Sequence, residues 1–137
     1  MNDAEYEAAK ARVLALYDRW RTRLSLERIY MDHEWERGEM APIGSAKHVA
    51  AFTEAEWQYQ QAKFTWCLPR VAAINDVTLE TLVVHEMVHV LLAPFNSLMD
   101  MNNSLAIDLM EHTTETVTRA FIWMVDELKP KPVEGEY

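Results

Sequence analysis

Apolar and polar positions recur along this chain with two different periods, and the changes of period mark its elements. From Asp3 to about Trp20, the residues Tyr6, Ala9, Val13, Leu16, Tyr17 and Trp20 return at helical spacing among charges, which predicts an amphipathic helix. The period then shortens to two. Ile29, Met31, His33 and Trp35 alternate with Tyr30, Asp32 and Glu34, predicting a strand that ends near Gly38. MAPIGS reads as a turn or loop, and Ala46 to Phe52 as a second strand. Thr53 and Glu56 have capping-box spacing, so a short helical turn is expected to start at Glu54. In KFTWCLPR, Phe64, Trp66 and Leu68 alternate with Thr65 and Cys67, giving a third strand closed by Pro69.

Two longer helical patterns follow. NDVTLE offers cap residues for a helix from about Val77 to Leu92, which Ala93-Pro94 should stop. Ser104 can cap a last helix running to about Leu128, with Met110, Val117, Phe121, Met124 and Leu128 as its buried stripe. The first of these two helices poses a problem. LETLVVHEMVHVLLAPF is almost entirely apolar, yet His85, Glu86 and His89 stand at its centre. Burying such groups without partners costs roughly several kcal/mol, so something must compensate them.

His85-Glu86-Met87-Val88-His89 is an H-E-x-x-H motif. Residues four apart lie one turn above each other on a helix, so both imidazoles project toward one ion. Glu86 is rotated by about 100°, one residue's step, and can reach a water beside that ion without binding the ion itself. Metal-assisted hydrolysis needs this division of labour, with zinc as the expected metal, one per chain, and Glu86 as general base and acid. A catalytic zinc usually takes three protein ligands. A third histidine in the metzincin position is excluded, because Leu92 and Phe95 stand where Gly and His would be required. A carboxylate from the last helix is the alternative. Glu111 and Glu115 are four apart and flank the apolar stripe, so Glu111 could bind the metal while Glu115 accepts the outer N–H of a ligand histidine. His112 is a rival ligand, and Asp100 and Asp108 are weaker ones.

Composition narrows the setting. The chain has 137 residues, enough for one domain with a real core, expected over 1–128 with a loose tail at 129–137. A net charge of −9 would repel phosphate backbones, so nucleic acid is not expected as a partner. No stretch of 20 residues is free of strongly polar groups, so no membrane span is expected either. The acidic start lacks a secretory pattern, and the lone Cys67 cannot form an internal disulfide. A reducing, cytoplasmic setting is the simplest reading.

HEMVHVLLAPF followed by EHTTETVTRAF resembles the gluzincin clan of zinc metallopeptidases, in particular the minimal single-domain minigluzincin type and similar small H-E-x-x-H proteins of phages and prophages. The resemblance covers about Glu56 to Phe121, including a W-x-Y-x-x-A-like lead-in at Trp57, Tyr59 and Ala62. It implies an α+β fold, a small twisted sheet packed on the motif helix with an N-terminal and a C-terminal helix. It also implies His85, His89 and Glu111 as zinc ligands, Glu115 as support for a ligand histidine, and peptide-bond hydrolysis with Glu86 as the proton carrier. The substrate would be a peptide or flexible protein segment aligned on a sheet edge by strand addition, here Lys63 to Leu68, in the cytoplasm of a bacterial or phage-infected cell. No residue can be assigned by spacing to stabilise an oxyanion.

Two other readings compete. The motif also looks like the start of SprT-like metalloprotease domains, with His112 as third histidine, but the Gly-His-Gly-like surroundings and basic balance of those domains are missing. Alternatively the chain is a non-catalytic phage or prophage interaction or assembly protein that keeps zinc for stability. Glu86 favours chemistry, because a purely structural site usually has four protein ligands and no water. The remaining residues read as structural: His33 and His48 as surface or strand-edge histidines, the tryptophans and Met87, Met99, Met101 and Met110 as core, and Cys67 as a buried thiol.

Overall fold

The computed structural model describes residues 1–40 and 49–128. Its first helix opens on a reciprocal cap: the Asn2 side chain accepts from the Glu5 N–H at 2.8 Å, and the Glu5 carboxylate accepts from the Asn2 N–H at 3.2 Å. This helix, α1, spans Asp3–Arg23 and buries Ala9, Val13, Tyr17 and Trp20, as the spacing predicts. Three strands follow: β1 (Tyr30–Glu36), β2 (Ala51–Glu56) and β3 (Gln61–Cys67). They form one sheet in the order β1-β3-β2, with β3 parallel to β1 and antiparallel to β2. Among the described residues the architecture is thus α+β, with four helices and a three-stranded mixed sheet.

The sheet departs from the expectation in three places, each with a physical cause. β3 is the central strand, so Lys63 to Leu68 is not a free edge. Burial on both of its faces explains why Phe64, Thr65, Trp66 and Cys67 are all hidden rather than alternating. The second strand lies later than expected. Ala51 and Phe52 begin it and Thr53 to Glu56 continue it, so TEAE is strand, and the only helical feature there is a 3-10 turn at Trp57–Tyr59. Pro69 does not close a strand but sits in the first turn of a short helix, α2 (Leu68–Ala73), where a missing N–H costs nothing. Residues 41–48, which carry most of MAPIGS, the start of the expected second strand and His48, lie outside the described residues, as does the tail at 129–137.

The helix α3 spans Asp76–Asn96, capped by the Asn75 side chain, which accepts from the Thr78 N–H at 2.8 Å. It runs past Pro94 by two residues instead of stopping before it. Arg12 of α1 donates to the Val71 and Ile74 carbonyls and to Asp76, and the Trp20 indole donates to Glu80 at 3.0 Å. These bonds tie the start of α3 to α1. Leu79, Val83, Val84, Met87 and Val88 then fill the core against Phe64, Trp66 and Val13. By length and composition α3 could cross a membrane; here it packs against the sheet, α1 and α4.

The last helix, α4 (Ser104–Leu128), is capped by Asn103 rather than Ser104: the Asn103 side chain accepts from Leu105 N–H at 2.9 Å. Its buried positions are Thr114 and Thr118, while Met124 and Leu128 of the expected stripe are exposed. Both threonine hydroxyls donate to the carbonyl four residues back, at 2.8 and 2.7 Å. Satisfied inside their own helix, they can face α3 without a desolvation penalty.

Candidate metal centre

Helix geometry alone sets up this site. On α3, His85 and His89 are one turn apart and present their rings edge to face, 4.9 Å between centroids. On α4, Glu111, Thr114, Glu115 and Thr118 follow the spacing of a single helical face. That face meets the two histidines. Glu111 spans them, with one carboxylate oxygen 2.8 Å from His85 Nε2 and the other 3.2 Å from His89 Nε2. One donor atom from each of His85, His89 and Glu111 lies within 4.8 Å of the other two.

The outer nitrogens of both rings are turned away from this point. His85 Nδ1 is 2.9 Å from Glu115, whose other oxygen accepts from Arg119 Nε at 3.0 Å. His89 Nδ1 lies 3.5 Å from the Thr114 hydroxyl, at the outer limit of a hydrogen bond. An imidazole that donates through Nδ1 leaves the Nε2 lone pair for a metal, and an acceptor such as Glu115 at His85 Nδ1 suits that tautomer.

Electrostatics agree with a cation here. Burial pushes His85 toward its neutral form, but the Glu111 bond, the Glu86 charge and the Glu115 bond together outweigh it and leave the imidazole raised to about 9. Burial works against the Glu111 carboxylate as well. Its bonds to His85 and His89 prevail and hold it at about 2. Burial likewise opposes the Glu115 carboxylate, yet its bonds to Arg119 and His85 together lower it. The cluster therefore demands positive charge at the point where the two Nε2 atoms meet Glu111. Ligand atoms around a tetrahedral zinc stand about 3.3 Å apart when bonds are about 2.0–2.1 Å, so the spacing and the donor types fit.

Glu86 is not part of the cluster. It is buried, only 4% exposed, and burial raises its carboxyl above the ordinary range against the pull of His89, His85 and a hydrogen bond from Thr53. Thr53 on β2 sets its hydroxyl 3.1 Å from the Glu86 carboxylate and 3.2 Å from the Glu86 carbonyl. No sequence signal singles out Thr53 for this contact, because its Thr-x-x-Glu setting reads as a helix cap. The structure brings four of the expected residues into contact, His85, His89, Glu111 and Glu115, while Glu86 is buried apart on a bond to Thr53. His112, Asp100 and Asp108 lie outside the cluster.

A cleft of about 420 Å³ opens beside His89 and Glu111, between β2, the end of α3 and the start of α4. Trp57, Met101 and Met110 line it, which corrects their assignment to the core. Along its β2 wall the strand edge is unpaired among the described residues. Cys67 N–H donates to the opposed Ala50 carbonyl at 2.8 Å. Antiparallel alternation then turns the N–H and C=O groups of Ala51, Thr53 and Ala55 away from β3. The edge beside the cleft is therefore β2. Comparison of the chain with family models, with curated proteins and with solved structures finds no match.

Proposed function

We propose that this chain is a zinc-dependent peptidase of gluzincin-like plan, with His85, His89 and Glu111 as ligands and Glu115 and Thr114 orienting the imidazoles. The observation that carries the reading is the separation of labour at the cluster: three donor groups converge on one point, while the neighbouring Glu86 is held apart by Thr53. Bound zinc would supply Lewis acidity, polarising a carbonyl and making a water acidic near neutrality. The chain's own residues do the rest. Glu86, raised by its burial, is suited to take a proton from the attacking water and pass it to the leaving amine. Thr53 fixes the carboxylate it would use. The outer edge of β2, unpaired among the described residues, offers the N–H and C=O groups of Ala51, Thr53 and Ala55 to an extended peptide, which would lie across the cleft as an added strand.

A purely structural zinc site would leave this arrangement without a purpose, since it needs neither a buried carboxylate beside the metal nor an open cleft. The test is cleavage of an unfolded protein or a peptide library by zinc-loaded protein, beside Glu86→Gln. Wild-type cleavage falling about 10²–10⁴-fold in the variant, with zinc retained, is the expected result. Zinc-loaded protein that cleaves nothing, or a variant as active as the wild type, would overturn the peptidase reading.

A further inference from the structure

A second cavity, of about 240 Å³, adjoins the metal cleft. Trp57 and Ala55 belong to both. Its walls are Leu26, Ile29, Val90, Leu91 and Pro94, so it is apolar, with Ser25, Gln60 and Gln61 completing the lining. None of these residues takes part in the metal cluster.

Three backbone irregularities from distant parts of the chain converge on this cavity. Among the described residues, two that are not glycine have positive φ, Ser25 at 56° and Gln60 at 52°. Both line it. Left-handed backbone is uncommon for such residues and is kept only where the surroundings impose it. The third irregularity is Pro94, inside α3, which has no N–H to offer the Val90 carbonyl one turn earlier. Both of those residues line the cavity as well. A hydrogen bond from Tyr30 N–H to the Gln60 carbonyl, at 2.9 Å, ties Gln60 to the start of β1.

We propose that this cavity is a second substrate site, taking a large apolar side chain of the same extended polypeptide that lies along β2. The occupant follows from continuity: the outer edge of β2, unpaired among the described residues, leads through Ala55 to Trp57, and both of these residues line both cavities. Side chains two residues apart on an extended chain point the same way, about 6.6–6.8 Å apart, which suits one residue in each of two adjoining cavities. The preferred substrate therefore carries two large apolar residues in an i, i+2 pattern. This deepens the peptidase reading and rests on it for the identity of the occupant.

Affinities of zinc-loaded Glu86→Gln protein for three blocked peptides test it: acetyl-Gly-Phe-Gly-Phe-Gly-amide and the two peptides with one Phe replaced by Ser. The two-Phe peptide should bind about tenfold tighter or more than either single-Phe peptide, as expected for one more large side chain removed from water. Leu91→Trp fills the second cavity from one wall and Ile29→Trp from another, so a folding fault in either does not decide the matter. In both, the two-Phe advantage should vanish, while the single-Phe peptide that uses the metal cleft binds as before. The proposal is overturned if the two-Phe peptide binds no tighter, if neither peptide type binds, or if the advantage survives both filled variants. Cleavage by the wild type is scored separately. Cleavage without the two-Phe advantage removes only the second site, and the advantage without cleavage removes only the peptidase.

Discussion

His33 and the pair His85/His89 are both placed among apolar neighbours, and the chain treats them in opposite ways. His33, on the edge strand β1, is packed into an aromatic box. Tyr17 meets it edge-on at 4.5 Å, and Trp35, Phe64 and Trp66 stack along it at 5.3 to 6.2 Å. The Trp66 indole donates to His33 Nδ1 at 3.0 Å, while His33 Nε2 is buried without a partner among the described residues. Burial lowers the pKa of this ring against weaker pulls from Asp32 and Asp18. His85 is also largely hidden, yet it touches two carboxylates and is raised to about 9. Burial alone therefore does not distinguish a packing histidine from a ligand. The partner does: an indole donor fixes a neutral ring, whereas carboxylates on two sides prepare a place for positive charge.

Removing one partner at a time probes this contrast. Glu115→Ala takes away the group that orients His85, and zinc affinity should fall about 10- to 100-fold, read by competition with a chelator of known strength. Fold stability of the metal-free protein is a poor substitute for that readout. Trp66→Phe takes away the donor to His33 and leaves a buried acceptor unmet, at a cost of about 1–3 kcal/mol. Urea unfolding should record that loss with zinc content unchanged. A loss of zinc in Trp66→Phe would erase the distinction between the two regions.

The smallest effect concerns pH. An unfolded chain protonates His33 near its ordinary value of 6.5, and the folded chain only at lower pH. Between those values the unfolded state binds more protons, so stability rises with pH there and is lost as pH falls from 6.5 through the folded value. Thermal unfolding followed from pH 7 downward should lose more stability in the wild type than in His33→Phe.

Much of the metal cluster is legible in the sequence because one rule governs it: positions four apart on a helix share a face. That rule alone pairs His85 with His89 and Glu111 with Glu115. Other features depend on partners that periodicity does not encode. Thr53 reads as a cap in Thr-x-x-Glu, and only the approach of α3 to β2 turns it toward Glu86. Phe64 to Cys67 alternate in a way that suits an edge strand or an internal one, and the addition of β2 on the far side of β3 decides between them. On α4 the buried positions are threonines that satisfy their own hydroxyls, so the apolar stripe points to Met124 and Leu128, which are exposed. His33 reads as a surface or strand-edge residue. It does lie on an edge strand, but the aromatic residues that enclose it come from α1 and β3 as well as from its own strand.

The proposed peptidase chemistry depends on the metal. Elemental analysis of the purified protein, alongside Glu111→Ala and Glu86→Gln, measures it. One zinc per chain in the wild type, lost in Glu111→Ala and kept in Glu86→Gln, is the expected result. No zinc in the wild type after incubation with excess metal would mean that the carboxylates and imidazoles satisfy one another, and would contradict the assignment of a metal centre to His85, His89 and Glu111.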